Sequence, residues 1–364
     1  MRFNLLFIGN KFSNNSYFKN YILREIDKKI AFIDSITFYQ ENDNSLFLHL
    51  EHELSNESKL LIITTKQSFS VVGKLLCTIT ADNQILKESM LLPSRCSVFE
   101  DQSYLLNYKN SIVNVLHVDE LSEFPRILLD DENSNATIHL FREDRESAKA
   151  LLSPIAQTNE VKIEFTDIVE NWLQIDITSR KYGNITQFIS SAKQLLSSKI
   201  ITASNIPAYI IDKLNHVQKK VTFAESCTGG LLSYMFTKEN GASNVFDGSL
   251  ITYSNALKEN WLAVEHTTLE NFGAVSAQVV QEMSEGALNV SYANYSVAIS
   301  GIAGPTGGTD EKPVGTIYIS ARSQNLEKTH MLLLSGDRKY IQEQSALYAI
   351  KMLLEIDKEL FFAN

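Results

Sequence analysis

Apolar and polar positions follow two successive patterns along the first two hundred residues of this chain. From residue 2 to about 132, short apolar runs at 3–8, 59–64 and 111–117 are separated by longer amphipathic segments such as 17–30. Runs of that length suit strands and the longer segments suit helices packed over them, so the stretch predicts an α/β domain with a largely parallel sheet. From about 135 to 200 the order becomes strand (136–141), helix (145–156), two strands (161–168, 172–178) and helix (185–198), a small α+β module. The polar stretch that closes it, SSKIITASNIP, has Pro207 just beyond a Ser/Asn cap and predicts a hinge.

Beyond the hinge the pattern predicts a layered α/β domain. A helix over 206–219 presents Ile210, Leu214 and Val217 on one face. A strand at 221–224 follows, then a helix entered through Gly229 and Gly230, and a strand at 248–253. Helices near Ala256 and Ala277, strands at 295–300, 315–321 and 329–334, and a last helix over 338–360 complete it. The expected division is therefore 1–133, 134–201 and 202–364.

Composition narrows the reading. A chain of 364 residues with 44% hydrophobic and 21% charged residues fits two or three ordinary globular domains. The net charge of −10 argues against a general nucleic-acid groove, which needs clustered Lys and Arg. No run approaches the roughly 18 apolar residues of a membrane span, and the first residues read as a strand with no cleavage site. Cys77, Cys96 and Cys227 lack metal-ligand spacing and fit a reducing, cytoplasmic setting without disulfides. Of fifteen glycines only Gly9, Gly73 and Gly183 precede Gly229, so tight ligand loops are expected in the last third.

Three constellations there carry chemistry. Ala224 to Gly230, AESCTGG, runs from the end of a strand into a helix, where several backbone N–H groups and the helix dipole converge on one spot. Ser226 is exposed there as a nucleophile; a helix cap followed by packing glycines is the other reading. Thr252 to Lys258, TYSNALK, places Lys258 about one turn inside a second helix, where the dipole lowers its pKa toward that of a general base for a serine. The alternative is a solvated surface lysine. Ser300 to Gly308, SGIAGPTGG, packs four glycines and a proline into nine residues after an apolar strand, a loop shaped for close backbone approach or a long hairpin. Arg338 opens the last helix after Asp337, either to meet a phosphate or to be held by that aspartate.

AESCTGG, TYSNALK, the FGAVS of Phe272 to Ser276, SGIAGPTGG, EKPVG and SGDR stand in the order and near the spacing of the CinA C-terminal, or nicotinamide-nucleotide amidase, domain, which residues 204–360 resemble. The resemblance implies metal-free and cofactor-free deamidation of nicotinamide mononucleotide to nicotinate mononucleotide and ammonia. It places the nucleophile on Ser226, the lysine on Lys258 and the tyrosine on Tyr253. The small hydroxyl residue before GIAG falls on Ser300 and the arginine near the last helix on Arg338. The expected substrate contacts are Thr228, Gly229, Gly230, Ser300, Gly301 and Arg338, with oxyanion donors among the N–H groups of Cys227 to Gly230. The family commonly has a second basic residue four positions after the arginine, and this chain has Gln342, which removes a charge from the phosphate side.

Residues 1–133 are similar to the family's molybdopterin-binding-like domain in degenerate form. Asn10 and Lys11 stand where a G-D-E turn has carboxylates, and Lys66 and Gln67 where glycines are expected. Residues 134–201 resemble the KH-like module that follows, without a G-x-x-G loop and hence without a warrant for RNA. The implied partners are a small nucleotide and a second copy of the chain, with no membrane or nucleic acid. A catalytically silent nucleotide-binding or scaffold protein is the alternative function, and an ADP-ribose pyrophosphatase run by the front domain is a third. Within the amidase reading, Ser226 either attacks the carboxamide or orients water.

Overall fold

The computed structural model describes residues 2–30, 32–130, 134–179 and 182–362; the expected domain limits at 1, 133 and 364 lie outside them. The chain forms two compact units, Met1–Asn135 with Thr178–Gly183, and Ala136–Ile177 with Asn184–Asn364.

The first unit is built on a six-stranded sheet in the order Ser35–Tyr39, Arg2–Ile8, Ser58–Thr64, Ser111–His117, Ser103–Tyr108, Cys96–Glu100. Its first four strands are parallel. Arg2–Ile8 is buried on both faces, with Leu5 and Phe7 in one cluster and Leu6 and Ile8 in the other, which is why its run is continuously apolar. Two antiparallel additions, the hairpin of Gln84–Lys87 with Met90–Pro93 and the pair Cys96–Glu100 with Ser103–Tyr108, were not anticipated by the apolar pattern. Their turns use Glu88, Ser89 and Gln102 at positive φ instead of the glycines that ordinarily mark such turns.

The segment 134–201, most of which (136–177 and 184–201) belongs to the second unit, forms the expected α+β pattern. Its sheet runs Val161–Val169, Trp172–Ser179, Ser134–Phe141 and the short Ile200–Ile201. Helices Arg145–Thr158 and Ile185–Leu196 start at Asp144 and Asn184, whose side chains accept from Ser147 N and Gln187 N. Phe188, Leu152 and Leu173 are buried between these helices and the sheet. Phe141, Val169 and Trp172 instead join the core of the following segment, where Phe141 meets Trp172 at 5.0 Å and Phe362 at 5.4 Å between ring centroids.

That segment carries a five-stranded sheet ordered Ser249–Ile251, Val221–Glu225, Tyr295–Gly301, Thr316–Ser323, Glu327–Leu333. The first three strands are parallel and the last two antiparallel. Helices Ile206–His216, Leu231–Thr237 and Arg338–Ile356 pack with Phe223, Val297 and Ile317 on one face. Asn255–Leu262 and Ala277–Ser291 pack with Ala224 and Ala298 on the other. Gly315, at φ +96, closes the long loop where a Cβ would lie 1.8 Å from Leu334 O, so no other residue fits. Two expectations are corrected. The helix from Ile206 ends at His216 because the chain turns through Gln218 at positive φ, leaving Val217 exposed. The last helix stops at Ile356, and Lys358–Phe362 forms a separate turn that buries Phe361 and Phe362.

Candidate functional site

The strand Val221–Glu225 is buried throughout and ends in a carboxylate with no exposure at all. Glu225 accepts hydrogen bonds from Gly230 N at 3.0 Å, Leu232 N at 3.1 Å, Ser233 N at 2.8 Å and Ser233 Oγ at 2.5 Å. An acidic residue buried without such partners would be strongly destabilising, so these bonds dictate the turn. Gly229 and Gly230 allow it by adopting φ of +61 and +102. Glu225 therefore occupies the helix N-terminus that the sequence offered to an anion.

This narrows the oxyanion donors expected along Cys227 to Gly230. Gly230 N is engaged by Glu225, and Gly229 N donates to Ser226 O at 3.1 Å. The Thr228 N–H is left without an acceptor among the described residues. Ser226, expected to be exposed, is instead buried, and its N–H ties it to the neighbouring strand, 3.0 Å from Ile299 O.

Lys258 sits in the helix Asn255–Leu262, whose N-cap Ser254 accepts from Leu257 N. Only 1% of the lysine is exposed, which excludes the solvated-surface reading. Its Nζ lies 3.1 Å from Ser226 Oγ, 2.6 Å from Thr252 O and 3.5 Å from Tyr253 O. Its hydrogen-bond partners are a hydroxyl and two carbonyls, none of them charged, and burial pulls the ammonium down to about 8. A neutral amine has two N–H donors and one lone pair. With the donors directed at the two carbonyls, the lone pair is left for the Ser226 hydroxyl proton. Cys227 is unsuited to that exchange: burial pushes its thiol up to about 12 and keeps it protonated.

The other predicted residues surround this pair unequally. The Tyr253 side chain is exposed, and its hydroxyl accepts from Arg338 Nη2 at 2.8 Å, so its carbonyl rather than its phenol faces Lys258. Arg338 also donates to Gly304 O at 2.6 Å, while Asp337 caps the helix by accepting from Tyr340 N. The Ser300 hydroxyl is buried and donates to Ala274 O at 2.7 Å. Gly301 is required by packing, since a Cβ would approach Ile317 Cδ1 at 2.3 Å. The hydroxyls of Thr228 and Thr252 are buried with no partner among the described residues, an uncommon condition that invites a ligand or water. Gln342 donates from Nε2 to Cys227 O at 2.6 Å.

Sequence reasoning passed over Glu225, Thr252 and the contact of Gln342. Glu225 carried a signal, a single acid inside the apolar strand VTFAE. The Gln342 contact had none, because it joins positions 115 residues apart.

A layered α/β domain with a buried serine–lysine pair at a strand-to-helix turn is the class that fold and site define. The profile of the CinA C-terminal domain matches residues 203–356. A CinA-like protein of Thermosipho melanesiensis is 41% identical over 191 residues, covering 50% of this chain and 46% of that protein. One of Endomicrobium trichonymphae is 34% identical over 232 residues, covering 60% and 54%. The competence/damage inducible protein CihA of Agrobacterium tumefaciens, a solved structure, is 36% identical over 43% of this chain and 98% of its own, with a TM-score of 0.41. Residues 203–356 are a CinA C-terminal domain, and curated proteins similar to the chain are named CinA-like. The matches span less than half of several curated relatives, 42%, 46% and 33% of three of them.

Proposed function

We propose that the chain is an amidase that hydrolyses the carboxamide of nicotinamide mononucleotide. The observation that carries this reading is the contact of 3.1 Å between Ser226 Oγ and a buried lysine drawn down to about 8. Ser226 Oγ attacks the carboxamide carbon as its proton passes to the neutral Lys258 amine. The carbonyl oxygen, now negative, takes the Thr228 N–H; such a donor typically contributes about 3 to 4 kcal/mol. The C–N bond then breaks, Lys258 returns its proton to the nitrogen, and ammonia leaves. Water, deprotonated by the same amine, opens the acyl-serine and releases nicotinate mononucleotide. Arg338 has guanidinium N–H groups beyond its two bonds to Tyr253 and Gly304, and these meet the phosphate.

The test is ammonia release from nicotinamide mononucleotide by the purified chain, with Ser226→Ala as control. Binding without release in the wild type would replace this reading with a silent nucleotide-binding module. An acyl-enzyme mass on Ser226, trapped by acid quench, separates covalent attack from mere orientation of water.

A further inference from the structure

Gln342 lies one helical turn beyond Arg338, on the same face of the helix Arg338–Ile356. Its neighbours Ile341, Ser345 and Ala346 are buried and fix that helix in the core. From this rigid position its Nε2 donates to Cys227 O at 2.6 Å. We infer that Gln342 is a positioning residue that aims the oxyanion donor, holding one side of the Cys227–Thr228 peptide so that the other side presents the Thr228 N–H to the reacting carbonyl. The inference rests on the amidase reading.

The lever is the peptide itself. In a planar trans peptide the C=O and the following N–H point in opposite directions, so fixing one fixes the other. The only cis bond among the described residues is Gly304–Pro305, so the Cys227–Thr228 peptide is trans. The bonds to Glu225, Ser226 N to Ile299 O at 3.0 Å and Leu231 N to Thr228 O at 3.2 Å hold the turn on either side of this peptide, but Gln342 is the partner that holds its own carbonyl. Thr228 N has no acceptor, two glycines follow at positive φ, and the nearest bond in the turn is Gly229 N to Ser226 O at 3.1 Å. A donor on the carbonyl also polarises the peptide and makes its N–H a better donor in turn. Any residue at 342 that can donate to Cys227 O serves this purpose, whereas a carboxylate would repel that oxygen.

The experiment compares kcat and KM for nicotinamide mononucleotide in Gln342→Ala, Gln342→Glu and Gln342→Lys, with thermal melting measured alongside. Gln342→Ala should lower kcat about tenfold or more with KM little changed, since the lost interaction matters as the oxyanion forms. Gln342→Glu should be worse than alanine, and Gln342→Lys should restore kcat to within about threefold of wild type, all at similar melting temperatures. Unchanged kcat in Gln342→Ala overturns the inference, as does a change in KM alone or a failure of lysine to rescue. The amidase reading fails separately, if the wild type releases no ammonia. Gln342 is then judged by acylation of Ser226 with p-nitrophenyl acetate, read as the p-nitrophenolate burst. A burst reduced in Gln342→Ala and restored in Gln342→Lys upholds it, and one absent from the wild type or equal in all variants overturns it.

Discussion

The two units each contain a parallel sheet whose first strand lies between its second and third, with connections leaving in opposite directions. At such a reversal a crevice opens beyond the carboxyl ends of the strands, the usual place for a ligand in open α/β sheets. In the first unit the crevice is a cavity of about 420 Å³ whose lining includes Glu41, Asp43, Gln67 and Ser68. Its polar groups answer one another: Thr65 Oγ1 donates to Glu41 at 2.9 Å and accepts from Ser68 N, and Lys11, just beyond the first strand, pairs with Glu120 at 2.9 Å. In the second unit the corresponding crevice holds Ser226 against Lys258, whose partners include no carboxylate, with an N–H without an acceptor and two hydroxyls without partners. Topology provides a crevice in both units; in the second the unsatisfied groups gather around a serine–lysine pair, at a cost in stability that a ligand offsets, whereas the first has no such pair among the described residues beside its unpartnered His117 Nε2 at the strand ends.

Substitutions should divide along the same line. Lys258→Ala should cut turnover about a hundredfold or more with KM little changed, and Lys258→Arg should not restore it, because a guanidinium stays protonated. Glu41→Gln and Lys66→Ala, in the first unit, should leave ammonia release within about twofold of wild type. A large loss there, measured by the same ammonia assay, would mean that the front crevice takes part. Next in size is Trp172→Ala, which removes a ring buried with Phe141 and should cost about 3 to 5 kcal/mol in urea titration. A cost under 1 kcal/mol would show the core of residues 204–362 to be independent of the α+β module, so that a chain from Ser204 keeps its full stability.

The pH profile gives a finer test. Only the neutral amine accepts the serine proton, so kcat should rise through about pH 8 and level off above it, following the lowered Lys258. A rate already flat from pH 6 to 9 would move the base elsewhere. The smallest effect belongs to Cys227→Ala. Its thiol stays protonated and packs as a small apolar group, so kcat should remain within about threefold of wild type. A loss as deep as that of Ser226→Ala would reverse the roles of the two neighbours.

The sequence disclosed the parts of this molecule that depend on local pattern. Strands such as Phe3–Ile8 and Tyr295–Ser300 were legible because burial on both faces demands continuous apolar runs, and AESCTGG and TYSNALK because their glycines and caps shape strand-to-helix turns. The proximity of Ser226 and Lys258 was legible only through resemblance, since no spacing rule brings residues 32 apart into contact. What escaped was set by satisfaction at a distance. Glu225 consumes the amides that the local pattern offered to an anion, and Gln342 reads as a lost charge until its bond to Cys227 O is seen. The hairpins between Gln84 and Tyr108 escaped because residues with side chains occupy the left-handed turn positions.

The buried Lys258 also ties folding to protons. Unfolded, its amine keeps a proton up to the ordinary 10.5; folded, it gives the proton up at about 8. Between those two values the unfolded chain binds more protons at this position, so the contribution of Lys258 to stability rises with pH across that window, by about 3 kcal/mol in all. Below about pH 8 both states are protonated and the folded chain bears the whole penalty of enclosing a charge; above 10.5 neither is protonated and the penalty is gone. Within the window, each molecule that folds releases a proton from this one amine.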